Sequence, residues 1–224
     1  MRFFKLLLLS GLLVFSANLP VRIHAQPQLA AEERPQRISQ PIFIIPWDQL
    51  LHDTPRNIMG KGRFKAELLA SFLLDENNEA DSAFVETLAA LYIAEANAEG
   101  VNHDIAFAQM CLETGFLRFG GLVIPEMNNF CGLGAIGPEI TGEWFPTAEM
   151  GVRAHIQHLQ AYATDKPLRG ELADPRYRYV RRGLAPSIQG LAGTWAADPL
   201  YAEKIEGILR RLNHYSRLNM PLKR

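Results

Sequence analysis

The sequence predicts a mainly α-helical domain with a small irregular or β-hairpin lobe, spanning residues 58–216. Apolar residues recur at helical spacing in several stretches, and capping residues or glycines stand at the ends of those stretches. Residues 118–146 are instead rich in glycine and proline, which is typical of irregular structure. The chain has 224 residues, of which 48% are hydrophobic, and a net charge of −1. This composition is globular and argues against a strongly basic nucleic-acid-binding chain.

The first 25 residues are predicted to be a secretory signal peptide. Arg2 and Lys5 give a basic start, an uncharged stretch follows, and Ala25 is a small residue suited to cleavage. The alternative is an uncleaved anchor, but the uncharged stretch of 16 residues is short for a membrane span and contains Pro20. We therefore expect export across the inner membrane to the periplasm, the cell envelope or the medium, where disulfides are allowed.

Residues 26–57 are predicted to form a flexible lead followed by an apolar strap. The strap contains three prolines, which argue against a central β-strand. At the other end of the domain, residues 217–224 are predicted to form a C-terminal tail.

The first three helices are predicted from apolar spacing and from their caps. Apolar residues at 64, 68, 69 and 72 indicate one short helix, and those at 85, 88, 89, 92 and 96 indicate a second. Gly100 ends the second helix, Asn102 caps the third, and Gly115 ends the third. The third helix is apolar nearly all round, so it should be buried.

Three further helices are predicted after the irregular segment. Thr147 caps a fourth helix with apolar residues at 152, 156 and 159, and a short helix is predicted over residues 187–194. Asp198 followed by Pro199 predicts the start of the last helix, because a capping carboxylate precedes a proline suited to the first helical position. The sequence therefore predicts about six helices in all.

Glu113 is the residue with the clearest indication of chemistry. It is the only charged residue between Asp104 and Arg118, on the helix predicted to be buried. Burial and a nearby helix C-terminus both raise the pKa of a carboxyl group, and a general acid must stay protonated near neutral pH. A glutamate that reaches the surface, or one that pairs with a buried arginine, would explain the same pattern.

Four segments carry a resemblance to a known family. They are AFAQMCLETGFLRFGG, NNFCGLG, GEWFPTAEMGVRAHIQHLQAYA and TWAADPLYAEKIEGIL. In this order, over residues 60–215, they resemble the glucosaminidase family of bacterial cell-wall hydrolases, glycoside hydrolase family 73. The resemblance implies a lysozyme-like helical fold.

The resemblance also implies roles for individual residues. Glu113 matches the catalytic glutamate of the family's E-S/T-G segment, and Tyr201 matches the tyrosine of its D-P-x-Y segment, close to the active site. The family's N-x-F-G-type segment, which helps line the glycan cleft, is matched by Asn129, Phe130 and Gly132.

Other candidate residues lie near these motifs. Trp195 stands where the family often has an aromatic residue, and Trp144 and Trp195 are both predicted to contact sugar because they lie at element boundaries. Many members of the family place a second acid in a longer lobe between the N-x-F-G-type segment and the next helix. The lobe is short in this chain, and within it Glu143 is the best candidate for a second catalytic carboxylate and Glu139 is the next. Retaining, inverting and substrate-assisted mechanisms all stay open at this point.

The cysteines and two histidines are candidates for further sites. A disulfide between Cys111 and Cys131 is favoured over two buried free thiols, because the two residues flank the strongest motifs and the protein is expected in an oxidising compartment. His155 and His158 have no third ligand at a suitable spacing, so no metal site is expected. No cofactor is expected either.

The function implied by the resemblance is that of a secreted peptidoglycan hydrolase cleaving the β-1,4 bond after N-acetylglucosamine. The alternatives are a lytic transglycosylase and a non-catalytic glycan-binding or assembly protein on the same fold. The expected partner is the peptidoglycan glycan strand, with no nucleic acid and no stable membrane span after cleavage. The protein is expected to be a monomer.

Overall fold

The computed structural model describes residues 54–137 and 140–219. The predicted signal peptide, the lead with most of the strap, Glu139 and the last five residues of the predicted tail lie outside the described residues. Within the described ranges, no helix combines the length and the apolar character needed to cross a membrane.

The fold is mainly α-helical, as the sequence predicts. Its regular elements are α1 (Ala66–Glu76), α2 (Ser82–Glu99), α3 (His103–Thr114), β1 (Ala135–Ile136), β2 (Ile140–Thr141), α4 (Ala148–Ala163) and α5 (Tyr201–Leu218). Strands β1 and β2 pair antiparallel, with Ala135 opposite Thr141, and form a small lobe between α3 and α4. Short 3-10 turns occur at Pro125–Met127, Tyr177–Tyr179 and Ile188–Leu191.

Several predicted helix ends are confirmed. The side chain of Asn102 accepts a hydrogen bond from a first-turn amide of α3, and Thr147 does the same for α4. Gly100 and Gly115 follow α2 and α3 with φ angles of 78° and 57°, which a residue without a Cβ adopts most easily.

Two predicted elements differ in the structure. The last helix begins at Tyr201, because the carboxylate of Asp198 instead accepts the Leu200 amide hydrogen at 2.9 Å in a turn before the helix. The helix predicted over residues 187–194 is a 3-10 turn of four residues, and Gly193 beyond it has a φ of 79°, outside the right-handed helical region.

Helix α3 forms the centre of the core. Its residues 105–108 are fully buried, with α5 on one side and the α2–α4 pair on another. Because α3 is enclosed in this way, the backbone that carries Glu113 near its C-terminal end is held firmly in place.

The segment at the boundary between the predicted strap and the domain packs against this core in an extended conformation. Ile58 is fully buried, its amide donates to the carbonyl of Pro186 at 3.0 Å, and its carbonyl accepts from the amide of Asn102 at 2.8 Å. The segment before α1 is thereby tied both to the start of α3 and to the loop before α5.

Candidate active site

Glu113 lies in the last turn of α3, at the surface of a cleft. Its carboxylate oxygen Oε1 accepts hydrogen bonds from the Tyr201 hydroxyl and, at 3.2 Å, from Trp195 Nε1. Protein atoms crowd around the carboxyl group, and the resulting desolvation raises its pKa, although the hydrogen bonds from Tyr201 and Trp195 oppose that rise. Glu113 therefore keeps its proton to a higher pH than an ordinary glutamate.

The turn that follows Glu113 has an unusual backbone. Thr114 is buried, and its hydroxyl donates to the carbonyl of Met110 at 2.8 Å and accepts from the amide of Leu117 at 2.9 Å. Positive φ angles at non-glycine residues are uncommon and concentrate at functional sites. In this turn they occur at Phe116, Leu117 and Phe119.

Two cavities meet beside Glu113. One has a volume of about 220 Å³ and the other of about 340 Å³, and Gly132 and Ala135 line both. The smaller cavity is lined by Glu113, Gly115, Phe119 and Asn129, among others. The larger is lined by residues that include His158, Tyr162, Arg176, Tyr179 and Trp195. Together they form one cleft, with Glu113 near the junction.

Tyr201 is held as a hydrogen-bond donor to Glu113. Its side chain is 5% exposed, and its hydroxyl oxygen accepts from Gln109 Nε2 at 2.7 Å. Burial and the neighbouring Glu113 both raise the pKa of the phenol, so Tyr201 stays protonated.

Asn129 organises the loop between α3 and the hairpin. Its Nδ2 donates to the carbonyls of Leu133 and Glu143 at 2.9 and 3.0 Å, and its Oδ1 accepts from the Leu133 amide at 2.9 Å. Gly132 in the same loop has a φ of 68°, and a Cβ at this position would lie 3.9 Å from Oε2 of Glu113. The loop thus brings a backbone without a side chain next to the carboxyl group.

Phe130 differs from its predicted role. Its side chain is 1% exposed and packs beside Phe84, with ring centroids 6.3 Å apart. The predicted glycan contact is therefore corrected: the ring is buried under the loop because it completes the apolar core between α2 and α4.

Glu143 and Trp144 lie on the hairpin lobe at different depths. Glu143 is half-buried, and its Oε1 is 3.7 Å from Nη1 of Arg176, a residue that lines the larger cavity. Within the described residues, Glu143 makes no hydrogen bond to Glu113. Trp144 is 61% exposed and lines neither cavity. Their roles in catalysis and sugar contact stay predictions.

Cys111 and Cys131 are both buried free thiols in the structure. The disulfide favoured from the sequence is therefore absent, and the alternative of two buried free thiols is what the structure has. Burial raises the pKa of each thiol, so neither is poised as a nucleophile.

The two histidines of α4 have separate surroundings. His155 is fully buried, and that burial, with a smaller contribution from His158, lowers its pKa to about 3. His158 Nδ1 lies 2.7 Å from a carboxylate oxygen of Asp174. The described ranges contain no group of three or more His, Cys, Asp or Glu residues that could hold a metal ion.

Sequence reasoning missed Gln109, which contacts both Tyr201 and His155. The available signal was its position four residues before Glu113, on the same face of an otherwise apolar helix. Sequence reasoning also missed Arg176, whose segment lies outside the motifs that carry the resemblance. It missed Tyr162 as well, although Tyr162 lies near the end of the third of those motifs.

The part of the chain that builds this site matches known proteins in sequence. Residues 89–214 match the family model for glucosaminidase, described as mannosyl-glycoprotein endo-beta-N-acetylglucosaminidase. The chain is also 43% identical over 162 residues to a protein of Borreliella burgdorferi described as an uncharacterized protein, and this alignment covers 72% of the present chain and 79% of that protein. Since Glu113, the 129–132 loop and Tyr201 all fall within the matched region, the chain belongs to the glucosaminidase family.

Proposed function

We propose that this chain cleaves the β-1,4 bond after N-acetylglucosamine in peptidoglycan, with Glu113 as the general acid. Membership of the glucosaminidase family indicates a glycosidase that acts on peptidoglycan. The position of Glu113 carries the finer proposal: a carboxyl group of raised pKa lies at the junction of two cavities and is oriented by Tyr201 and Trp195.

Glu113 has the properties that glycosidic bond cleavage requires. It gives its proton to the glycosidic oxygen while the bond from that oxygen to the anomeric carbon breaks. A water molecule then supplies the hydroxyl group on the anomeric carbon and releases a proton. After the first transfer, hydrogen bonds from Tyr201 and Trp195 stabilise the resulting carboxylate.

The second catalytic function can come from Glu143 or from the substrate. Glu143, at the larger cavity through its contact with Arg176, would activate water as a general base. In the other route, the 2-acetamido group of the sugar attacks the anomeric carbon. The variant Glu143→Gln separates the two: a general base predicts a loss of kcat of about 10²-fold or more, and the substrate-assisted route predicts little change.

The decisive experiment is mass spectrometry of purified peptidoglycan digested with the chain from residue 26 onward. We expect fragments that end in reducing N-acetylglucosamine, and we expect Glu113→Gln to yield at least about 10²-fold less. Thermal unfolding of both proteins checks that the variant is folded. Fragments with 1,6-anhydro-muramic ends would identify a lytic transglycosylase instead. Binding to sacculi that stay intact at every pH tested would favour the non-catalytic alternative.

We place this activity outside the cytoplasm, in the cell envelope. The proposed substrate lies there, and the pattern of residues 1–25 is typical of a secretory signal peptide. We propose that the enzyme works as a monomer.

A further inference from the structure

A continuous chain of hydrogen bonds runs from the centre of the core to Glu113. The Tyr92 hydroxyl lies 2.9 Å from His155 Nδ1, His155 Nε2 lies 3.0 Å from Gln109 Oε1, and Gln109 Nε2 lies 2.7 Å from the Tyr201 hydroxyl. The Tyr201 hydroxyl in turn bonds to Oε1 of Glu113. We call Tyr92, His155, Gln109 and Tyr201 the relay. The first three are fully buried, so the groups in it depend on one another for hydrogen bonds.

The far end of the relay sets its direction. His155 is the hydrogen-bond partner that the structure provides for the Tyr92 hydroxyl. If the ring donated to Tyr92, the hydroxyl hydrogen of this buried residue would have no acceptor, which is unfavourable. Tyr92 therefore donates, and Nδ1 of His155 accepts. Because burial keeps His155 neutral, its ring hydrogen must be on Nε2.

The direction then passes along the relay to Glu113. His155 Nε2–H donates to Gln109 Oε1, which leaves the amide group of Gln109 to donate to the Tyr201 oxygen. The Tyr201 hydrogen is thereby directed to Glu113. Each residue of the relay donates its hydrogen bond toward the carboxyl group. No single hydrogen bond of the relay can reverse its direction unless the adjacent ones reverse too.

The two oxygens of Glu113 are consequently not equivalent. Oε1 accepts from Tyr201 and also from the Trp195 indole, which can only donate. An oxygen that already accepts two hydrogen bonds is a poor place for the acid proton. Oε2 faces Gly132, one of the two residues that line both cavities.

We propose that Tyr92, His155 and Gln109 are positioning residues that act through Tyr201 to keep Oε1 of Glu113 an acceptor, so that the transferable proton is carried on Oε2, toward the cleft. The catalytic meaning of this arrangement rests on the proposed function of Glu113 as general acid. The relay itself is a property of the resting protein and can be measured without substrate.

The variant Tyr92→Phe tests the proposal by removing one oxygen atom far along the relay from the cleft. His155 is then free to move its hydrogen to Nδ1, Gln109 can turn its oxygen toward Tyr201, and Glu113 loses a donor. Loss of a hydrogen bond to the carboxylate raises its pKa. We expect an upward shift of the Glu113 pKa. The shift is measured by ¹³C NMR titration of the carboxyl carbon, whose signal is assigned by its loss in Glu113→Gln. On peptidoglycan, kcat should fall by about tenfold with little change in KM.

Two further variants calibrate that measurement. Tyr201→Phe removes the donor itself and defines the largest upward shift from this source. His155→Leu breaks the relay at its second member and should shift the pKa in the same direction, which keeps the test available if Tyr92→Phe does not fold. Tyr215→Phe is the matched control, because it removes a phenol hydroxyl from a tyrosine that packs on Phe72 outside the relay.

The outcomes are distinct. A Glu113 pKa that rises in Tyr92→Phe and His155→Leu, but not in Tyr215→Phe, supports the relay. A pKa that stays at the wild-type value in the first two variants while it rises in Tyr201→Phe overturns it. If the wild-type protein cleaves no peptidoglycan at all, the proposed function fails, and the titration still decides whether the relay orients the carboxyl group.

Discussion

Two opposing influences act on the carboxyl group of Glu113. Desolvation raises its pKa, and the hydrogen bonds from Tyr201 and Trp195 lower it, with desolvation the larger of the two. A general acid works only while it is protonated, so activity should fall as the pH rises through this pKa. The raised pKa therefore extends the active range toward higher pH, and the two donors limit that extension.

Replacement of Trp195 tests this balance at one residue. Trp195→Phe keeps an aromatic ring but removes the Nε1 donor to Glu113, so the pKa should rise further and the high-pH limb of the kcat profile should move upward. Tyr215→Phe is the control, since it removes a polar group from an aromatic side chain that packs on Phe72 and lines neither cavity. Superimposable profiles for wild type and Trp195→Phe would show that the indole donor has no influence on the acid.

At the scale of elements, a single amide side chain holds the loop between α3 and the hairpin lobe. Asn129 is 1% exposed and bonds to the backbone at Leu133 and Glu143, so it fixes both ends of the segment that contains the hairpin. The same loop presents Gly132 to Oε2 of Glu113. The local fold of the lobe and the shape of the cleft therefore depend on the same hydrogen bonds.

Asn129→Ala should weaken both stability and activity. It removes the acceptor of the buried Leu133 amide, and we expect unfolding in urea to show a loss of about 1–3 kcal/mol. Activity on peptidoglycan should also decrease, because Gly132 would no longer be held beside the acid. Asn219→Ala, just after the exposed end of α5, removes one hydrogen bond from the side-chain amide to the Tyr215 carbonyl. It should change the free energy of unfolding by no more than about 0.5 kcal/mol. Equal losses in the two variants would contradict this role for Asn129.

At the scale of the whole molecule, the cleft depends on how closely α4 approaches the loop that precedes the hairpin. Gly151 lies in α4 at the point of contact, where an added Cβ would overlap the carbonyl oxygen of Asn128 and lie 3.4 Å from the Phe130 ring. Only a residue without a side chain allows this approach. Packing between a helix and a loop, rather than either element alone, therefore sets the position of residues 128–132.

Two glycine-to-alanine variants separate this packing effect from helix propensity. Gly151→Ala must push the Asn128 loop away, and we expect a loss of about 1–3 kcal/mol in the free energy of unfolding. Gly207→Ala, in α5, meets only a distant Arg210 atom at 4.0 Å and should gain up to about 1 kcal/mol from higher helix propensity. Thermal unfolding of both variants provides the measurement. A stabilised Gly151→Ala would show that α4 and the loop do not pack closely.

The sequence alone determined the features that depend on near neighbours along the chain. Asn102 and Thr147 cap their helices because their side chains reach amides two or three residues away, and Gly100 and Gly115 end helices through their own backbone freedom. The unusual charge of Glu113 on an apolar helix is likewise readable from adjacent residues. Ordered motifs were enough to predict the family.

The tertiary structure alone decided how distant side chains meet. Tyr201 and Trp195 reach Glu113 from 88 and 82 residues away, and Gln109 meets His155 across 46 residues. No local pattern predicted that Phe130 would turn into the core or that Cys111 and Cys131 would stay unbridged. These outcomes depend on side-chain directions after the helices have packed, and helical periodicity does not specify which partner a buried polar atom finds.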